Sequence, residues 1–265
     1  MMGYICKRCQ NKKFYNIRWG KKRCKNCGYE FKIRIGKLGL SRKKWRDLIF
    51  WFLLEQPIRG IEKQTHISHY SSGKAVKVLR MIMAKDVPGI FSGTVEVDET
   101  YLGGQKKNKR KSQLKKEIES RRGWGTTKQP VFGILTRRGR VFARLVDDTE
   151  ARDLLPIIAK KVKTGSSVCS DAWRAYTGLA ARGYVHRTAE HGEKEYVQKD
   201  KRKNHINGLE GFWGYLKRKL AAKGGIRRKY ISLFLGESVW RYNYRSLTIE
   251  KQRERLLKKV TEFSG

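Results

Sequence analysis

Three carboxylates stand out by type and placement. The run VEVDETYLGG, Val95–Gly104, has the apolar character of a buried strand yet carries Glu96, Asp98 and Glu99. A buried carboxylate is costly unless it is paired or holds a metal. Asp171 closes a second strand-like run, SSVCSDAW, and Glu210 lies in NHINGLEGFWGYLKRKL. The last segment reads as a helix. Leu209, Phe212, Trp213, Leu216 and Leu220 make its apolar stripe, while Glu210, Gly214 and Lys217 fall on a neighbouring face. Ligands of such sheets lie at strand ends, and Asp98 is expected near the end of its strand. Two strand-end Asp residues and a helical Glu form a hard oxygen site suited to two Mg²⁺ or Mn²⁺ ions. Two such ions, about 3.5–4 Å apart, activate a water or a 3′-hydroxyl and stabilise the leaving oxygen in phosphodiester chemistry.

Other residues compete for these roles. Glu96 shares a strand face with Asp98, and Glu99 points the other way; either could be the ligand instead. Asp147 and Asp148 precede a helix and read as its N-caps. Cys169 reads as a small core residue. His191 and His205 flank a polar loop, as structural histidines or DNA contacts. Trp213, Trp240, Tyr242 and Tyr244 read as core, and Trp124 as a residue that could stack on an unpaired base.

A second metal-type pattern opens the chain. Cys6 and Cys9, then Cys24 and Cys27, are two C-x-x-C pairs separated by 14 residues. This spacing predicts a four-cysteine tetrahedral zinc site with no position left for water, hence a structural one. Gly28 supplies backbone freedom after the second pair.

The elements that must position these groups follow from periodicity and punctuation. Residues 1–35 read as a zinc ribbon. Residues 36–90 read as a small helical domain, with Ser41 as an N-cap, a short segment IEKQTHI, a polar turn SHYSSG and a last helix carrying Ala75, Val78, Leu79, Ile82 and Met83. Helix, turn, short helix, turn, helix is compatible with a helix-turn-helix DNA reader. Residues 91–250 alternate: a strand at Thr94–Tyr101, a hairpin turning at Arg138–Gly139, a helix from about Glu150 to Lys163, a strand ending near Asp171, a helix near Trp173–Arg182, a strand near Tyr184–Thr188, and helices beginning near Asn207 and Ile231. That order predicts a mixed sheet flanked by helices, an α/β fold. Residues 105–128 interrupt it with ten Lys or Arg and two Glu. They read as a solvated loop that can also clamp a phosphate backbone, through Lys106, Lys107, Arg110 and Lys111. Residues 251–265 read as a basic tail.

Charge narrows the partner. The 265 residues hold 62 Lys plus Arg against 24 Asp plus Glu, a formal net charge of +38. That excess suits a polyanion, with nucleic acid ahead of a membrane surface. No run of 18 apolar residues and no secretory h-region occurs, so a cytoplasmic, nucleoid-associated protein with reduced thiols is expected.

Together VEVDETYLGG, SDAWRAY, NHINGLEGFWGYLKRKL and ESVWRYNYR resemble bacterial insertion-sequence DDE transposases of the Merlin-related (ISXO-like) group. A four-cysteine ribbon is typical of that group too, so the resemblance spans nearly the whole chain. It implies a ribonuclease-H-like core with Asp98, Asp171 and Glu210 as the DDE triad. Lys217 fits the helical Lys or Arg of such enzymes. It implies metal-dependent cleavage at the ends of an element, attack of the freed 3′-hydroxyl on target DNA, and two or more protomers pairing the DNA ends. Some members carry Asn or His in place of Glu210, and here His205 and Asn207 are nearby. Two other functions remain open on the residues alone: a zinc-ribbon and helix-turn-helix regulator, and a metal-dependent nuclease without strand transfer.

Overall fold

The computed structural model describes residues 5–17, 21–32, 34–35, 38–103, 128–137, 139–171, 174–188, 207–224 and 226–263. Two compact units result: Met1–Ile82 with Leu247–Gly265, and Met83–Ser246.

The first unit begins with an antiparallel sheet of β1 (Phe14–Ile17), β2 (Lys21–Cys24) and β3 (Glu30–Lys32). Arg23 on β2 donates to Glu30 on β3 from Nε at 2.9 Å, and Phe14, Tyr29 and Phe31 pack their rings together. A short pairing of β4 (Arg34–Ile35) with β5 (Leu40–Ser41) leads into α1 (Arg42–Leu53). The Ser41 hydroxyl accepts the Lys44 N–H, so it caps α1 as its position before the apolar periodicity predicts. Trp45, Leu48, Ile49, Phe52 and Leu53 form the buried face.

Next come α2 (Ile58–Thr65) and α3 (His69–Lys85), linked through His66, whose left-handed backbone ends α2. The segment read as a polar turn, SHYSSG, is instead mostly helix. Ser68 accepts the Ser71 N–H at 3.4 Å, His69 is held by the Glu62 carboxylate, and the buried Ser72 hydroxyl bonds the Ile67 carbonyl. Local hydrogen bonds replace the apolar contacts that sequence periodicity detects.

Residues read as a basic tail also form a helix. This is α7 (Ile249–Phe263), which packs on α1 and buries Leu256, Leu257 and Val260. Thr248 caps it by accepting the Lys251 N–H. Its high charge masked an apolar trio at helical spacing.

The second unit is built on a five-stranded sheet. Its strands are β6 (Thr94–Leu102), β7 (Gln129–Thr136), β8 (Val141–Leu145), β9 (Ser167–Ser170) and β10 (Val185–Thr188), ordered β10-β9-β6-β7-β8. β6, β7 and β8 run antiparallel, whereas β9 and β10 are parallel to β6. The hairpin turn carries Gly139 at φ 78°, a conformation suited to glycine. Between β8 and β9 runs α4 (Ala151–Lys161), followed after the sheet by α5 (Asn207–Ala221) and α6 (Ile231–Asn243).

One correction falls between β9 and β10. A helix is expected near Trp173–Arg182, but the described residues form two 3₁₀ turns, Arg174–Tyr176 and Ala180–Arg182. Thr177 and Gly178, both poor helix formers, separate them.

Alternation along the strands splits the core in two. Val95, Val97, Phe132 and Ile134 meet Leu154, Leu155 and Ile158 of α4. Val131, Leu135, Val141 and Ala143 meet Leu209, Phe212, Trp213 and Leu216 of α5 and Leu235 and Val239 of α6. The sheet is therefore covered by helices on both faces, a mixed α/β layer structure. Among the described residues, no helix is long and apolar enough to cross a membrane.

Candidate active site

Residues of β6 divide by parity. Glu96 and Asp98 face α5, while Glu99 faces the layer that contains Tyr176. Asp98 is the fifth residue of a nine-residue strand, not near its end as expected, because β6 stays paired with β7 as far as Leu102↔Gln129. The strand end is supplied by the neighbour. The parallel ladder with β9 stops at Glu96↔Cys169. Asp98 and Asp171, which directly follows β9, each lie two residues beyond that last pair.

Asp98 is half-buried, and its Oδ2 accepts the indole N–H of Trp213 at 2.9 Å. Burial pushes the Asp98 carboxyl up to about 6, with the charges of Asp171 and Glu210 adding to the rise against the Trp213 and Glu99 N–H donors. Asp171 and Glu210 thus both lie near enough for their charges to act on Asp98. Glu210 occupies the first turn of α5 and is exposed, as is Lys217 two turns further along.

The other acids of β6 have different partners. Glu96 is buried, and its Oε2 accepts the Leu209 N–H at 2.9 Å, which satisfies a free donor at the start of α5. Gly208 makes this approach possible, since a Cβ there would lie 2.9 Å from Oε2. Glu96 and Asp98 therefore grip α5 at Leu209 and Trp213, about one turn apart, and fix the helix that carries Glu210. Glu99 accepts the Tyr176 hydroxyl. Burial drives it up to about 8, helped by Asp98 and Asp171, so it is largely protonated at neutral pH.

Asp147 and Asp148 do not cap α4 as expected. Glu150 holds the N-cap position without a side-chain bond, and Asp148 accepts the Thr149 N–H at 2.7 Å within the preceding turn. Cys169 is fully buried, as read. Trp240 and Tyr244 pack with tilted rings, and the Trp240 indole donates to Asp86. Lys106, Lys107, Arg110, Lys111, Trp124, His191 and His205 lie outside the described residues.

Sequence reasoning assigned Trp213 to the core alone and passed over Gly133, Tyr176 and His186. The Ser170 hydroxyl donates to the Asp171 carbonyl at 2.7 Å and lies 2.9 Å from His186 Nε2, so it ties β10 to the end of β9 at Asp171. Gly133 did carry a signal, because a glycine inside a strand often marks a close approach.

The ribbon holds the second group. All four cysteine sulfurs lie within 4.8 Å of one another, with Cys6–Cys27 and Cys9–Cys24 each at 3.5 Å. Burial opposes ionisation of Cys24, but N–H donors from Cys27, Asn26 and Asn11 outweigh it and bring the thiol down to about 6. Cys27 accepts the Tyr29 N–H, yet burial and the other three cysteines push it up to about 12. Four thiols so placed shed their protons together only around a cation, and the set fits zinc. Among the described residues, no other group of His, Cys, Asp and Glu gathers its donor atoms so tightly.

Against this geometry, the profile of the ISXO2-like transposase domain matches residues 90–243, more than half of the chain. The chain belongs to the ISXO2-like transposase family. An uncharacterized transposase-like protein of Haemophilus influenzae is 34% identical over 104 residues, 39% of this chain and 81% of that protein. Among solved structures, a pre-cleavage Mos1 transpososome shares 11% identity at a TM-score of 0.29, over 82% of this chain and 78% of that one. The Mos1 transposase paired-end complex with the left transposon end shares 10% at 0.29, over 84% and 80%. The ISXO2-like domain match encloses Asp98, Asp171, Glu210 and Trp213, and leaves the cysteine ribbon outside it.

Proposed function

We propose that this chain is a DNA transposase that cuts the ends of an insertion sequence and joins them to target DNA, with Asp98, Asp171 and Glu210 as the acidic triad of a ribonuclease-H-like domain. What supports the reading is that the charges of Asp171 and Glu210 both act on the half-buried Asp98, within a domain of the ISXO2-like transposase family. Like charges brought close together repel unless protons or a cation compensate them, and oxygen donors favour Mg²⁺ or Mn²⁺. Two such ions, when bound, supply an activated water or 3′-hydroxyl and stabilise the leaving oxygen. Asp98 and Asp171 hold the site from the sheet, and Glu210 closes it from α5. Lys217, two turns along the same helix, is placed to meet a DNA phosphate, and Lys106, Lys107, Arg110 and Lys111 of the basic insertion add phosphate contacts.

The first unit serves DNA binding in this reading. α2 and α3 act as a helix-turn-helix pair, with Tyr70, Lys74 and Lys77 exposed on α3 and no acidic residue anywhere in that helix. The cysteine ribbon holds a structural zinc. Two or more protomers bring the two element ends together.

The test is a labelled linear DNA that carries the sequence flanking the gene, incubated with the protein, Mg²⁺ or Mn²⁺ and a supercoiled target plasmid. End cleavage with joined products, both lost in a folded Asp98→Ala protein, is the expected result. Cleavage without joining points to a nuclease. Sequence-specific binding with no cleavage under either metal points to a regulator.

A further inference from the structure

We propose that Trp213 is a positioning residue for the reaction: its indole N–H sets the orientation of the Asp98 carboxylate, and Gly133 exists to let it do so. The inference rests on Asp98 being a metal ligand. Its basis is a three-part fit across β6, β7 and α5. Asp98 faces Gly133 in the β6–β7 register. The Trp213 ring lies over that glycine, so that a Cβ at residue 133 would sit 2.6 Å from Cζ2 and 2.7 Å from Cη2. Real Cβ contacts are never that short, so any other residue forces the indole out. From this seat Nε1 donates to Oδ2 of Asp98 at 2.9 Å.

The ring has little freedom to move. Trp213 is 4% exposed, and Leu209 Cδ1 crowds the same glycine at 3.2 Å from the Cβ position. Phe212 packs beside it at 5.2 Å between centroids and is itself held edge-on by Tyr242 at 5.0 Å. A donor this constrained holds one carboxylate oxygen in place. That fixes the carboxylate plane, and with it the direction in which the other oxygen offers its lone pairs. Groups that orient metal ligands in this way change metal affinity by about 10- to 100-fold.

The alternative is that the bond only satisfies the indole. A buried indole N–H needs an acceptor, and Asp98 provides one. The two roles differ in what removing the N–H does to metal binding. The experiment uses the full-length, zinc-loaded, DNA-free protein and reads Mn²⁺ affinity by electron paramagnetic resonance. Trp213→Phe removes the N–H but leaves a gap. The sharper variant places β-(3-benzothienyl)alanine at 213, which keeps the ring shape and replaces N–H by sulfur. Melting temperature serves as the folding control.

The positioning role requires Mn²⁺ affinity to fall about tenfold or more in the benzothienyl protein while its melting temperature stays near wild type. Wild-type Mn²⁺ affinity in that protein, alongside weakened affinity in Asp98→Asn, overturns the positioning role and leaves the metal site standing. Unchanged affinity in Asp98→Asn overturns the metal-site reading itself, and the role of Trp213 with it.

Discussion

The four cysteines of the ribbon and the three proposed carboxylate ligands are assembled in opposite ways. Each cysteine pair sits within four residues of chain, and the four sulfurs converge to within 4.8 Å through two knuckles on one small sheet. The carboxylates come from β6, from the residue after β9 and from α5, separated by long stretches of sequence. They are held by a supporting layer: Glu96 on the start of α5, Trp213 on Asp98, Gly133 beneath the indole. On the proposed reading the ribbon depends on a metal for its fold, since so small a sheet buries little. The three carboxylates are set instead on a sheet with an apolar cluster on each face, and their like charges work against that packing. One cluster should therefore fail in folding when altered, the other in chemistry.

That contrast is open to direct attack. The largest effect is expected from Asp98→Asn. End cleavage should fall about a thousandfold or more, because several kcal/mol of transition-state stabilisation are lost, while the melting temperature in EDTA at pH 7 does not drop. Parallel kinetics and calorimetry check both halves. Cys24→Ser should do the reverse. Bound zinc, read by elemental analysis, falls, and the amides of β1 to β3 lose hydrogen-exchange protection. Retention of that protection without zinc breaks the contrast.

A smaller change tests the supporting layer. Gly133→Ala forces the Trp213 ring aside and should cost about 1–3 kcal/mol of stability in denaturant unfolding, the usual range for overpacking. No change in the midpoint would mean that the ring relocates freely.

The smallest effect is a pH dependence. Burial raises Glu99 to about 8 from an ordinary 4.5, so the folded state holds its proton where the unfolded chain releases it. The stability from this group is full below about pH 4.5 and is lost as pH rises towards 8. In EDTA, the melting temperature of Glu99→Gln relative to wild type should accordingly rise between pH 5 and 8 and level off above. A flat difference across that range would place the proton elsewhere.

Legibility in sequence follows the same division. The ribbon was readable because its ligands are local and their spacing is itself the geometry. So were the strand at 94, the hairpin turning at Gly139, and the starts of α5 and α6 at Asn207 and Ile231, where apolar period and glycine punctuation agree. The carboxylates could be nominated, but their support could not. Trp213 reads as one more apolar-stripe residue until the register sets Gly133 against Asp98, and register between strands far apart in sequence is a tertiary property. Charge also misled: α7 was hidden in a segment where Lys, Arg and Glu outnumber the three buried apolar residues. The start of α3 was hidden because hydrogen bonds at Ser68, His69 and Ser72 stabilise it, not an apolar face.

The most direct test of the central claim asks whether divalent ions bind beside all three acidic segments. Fe²⁺ placed in the zinc-loaded protein, with ascorbate and peroxide, cuts the backbone next to wherever it binds, and the fragments can be mapped by mass spectrometry. The account predicts cuts clustered near residues 98, 171 and 210, competed by Mg²⁺ and absent in Asp98→Asn. Cuts confined to other segments, or a pattern indifferent to Asp98→Asn, would contradict it.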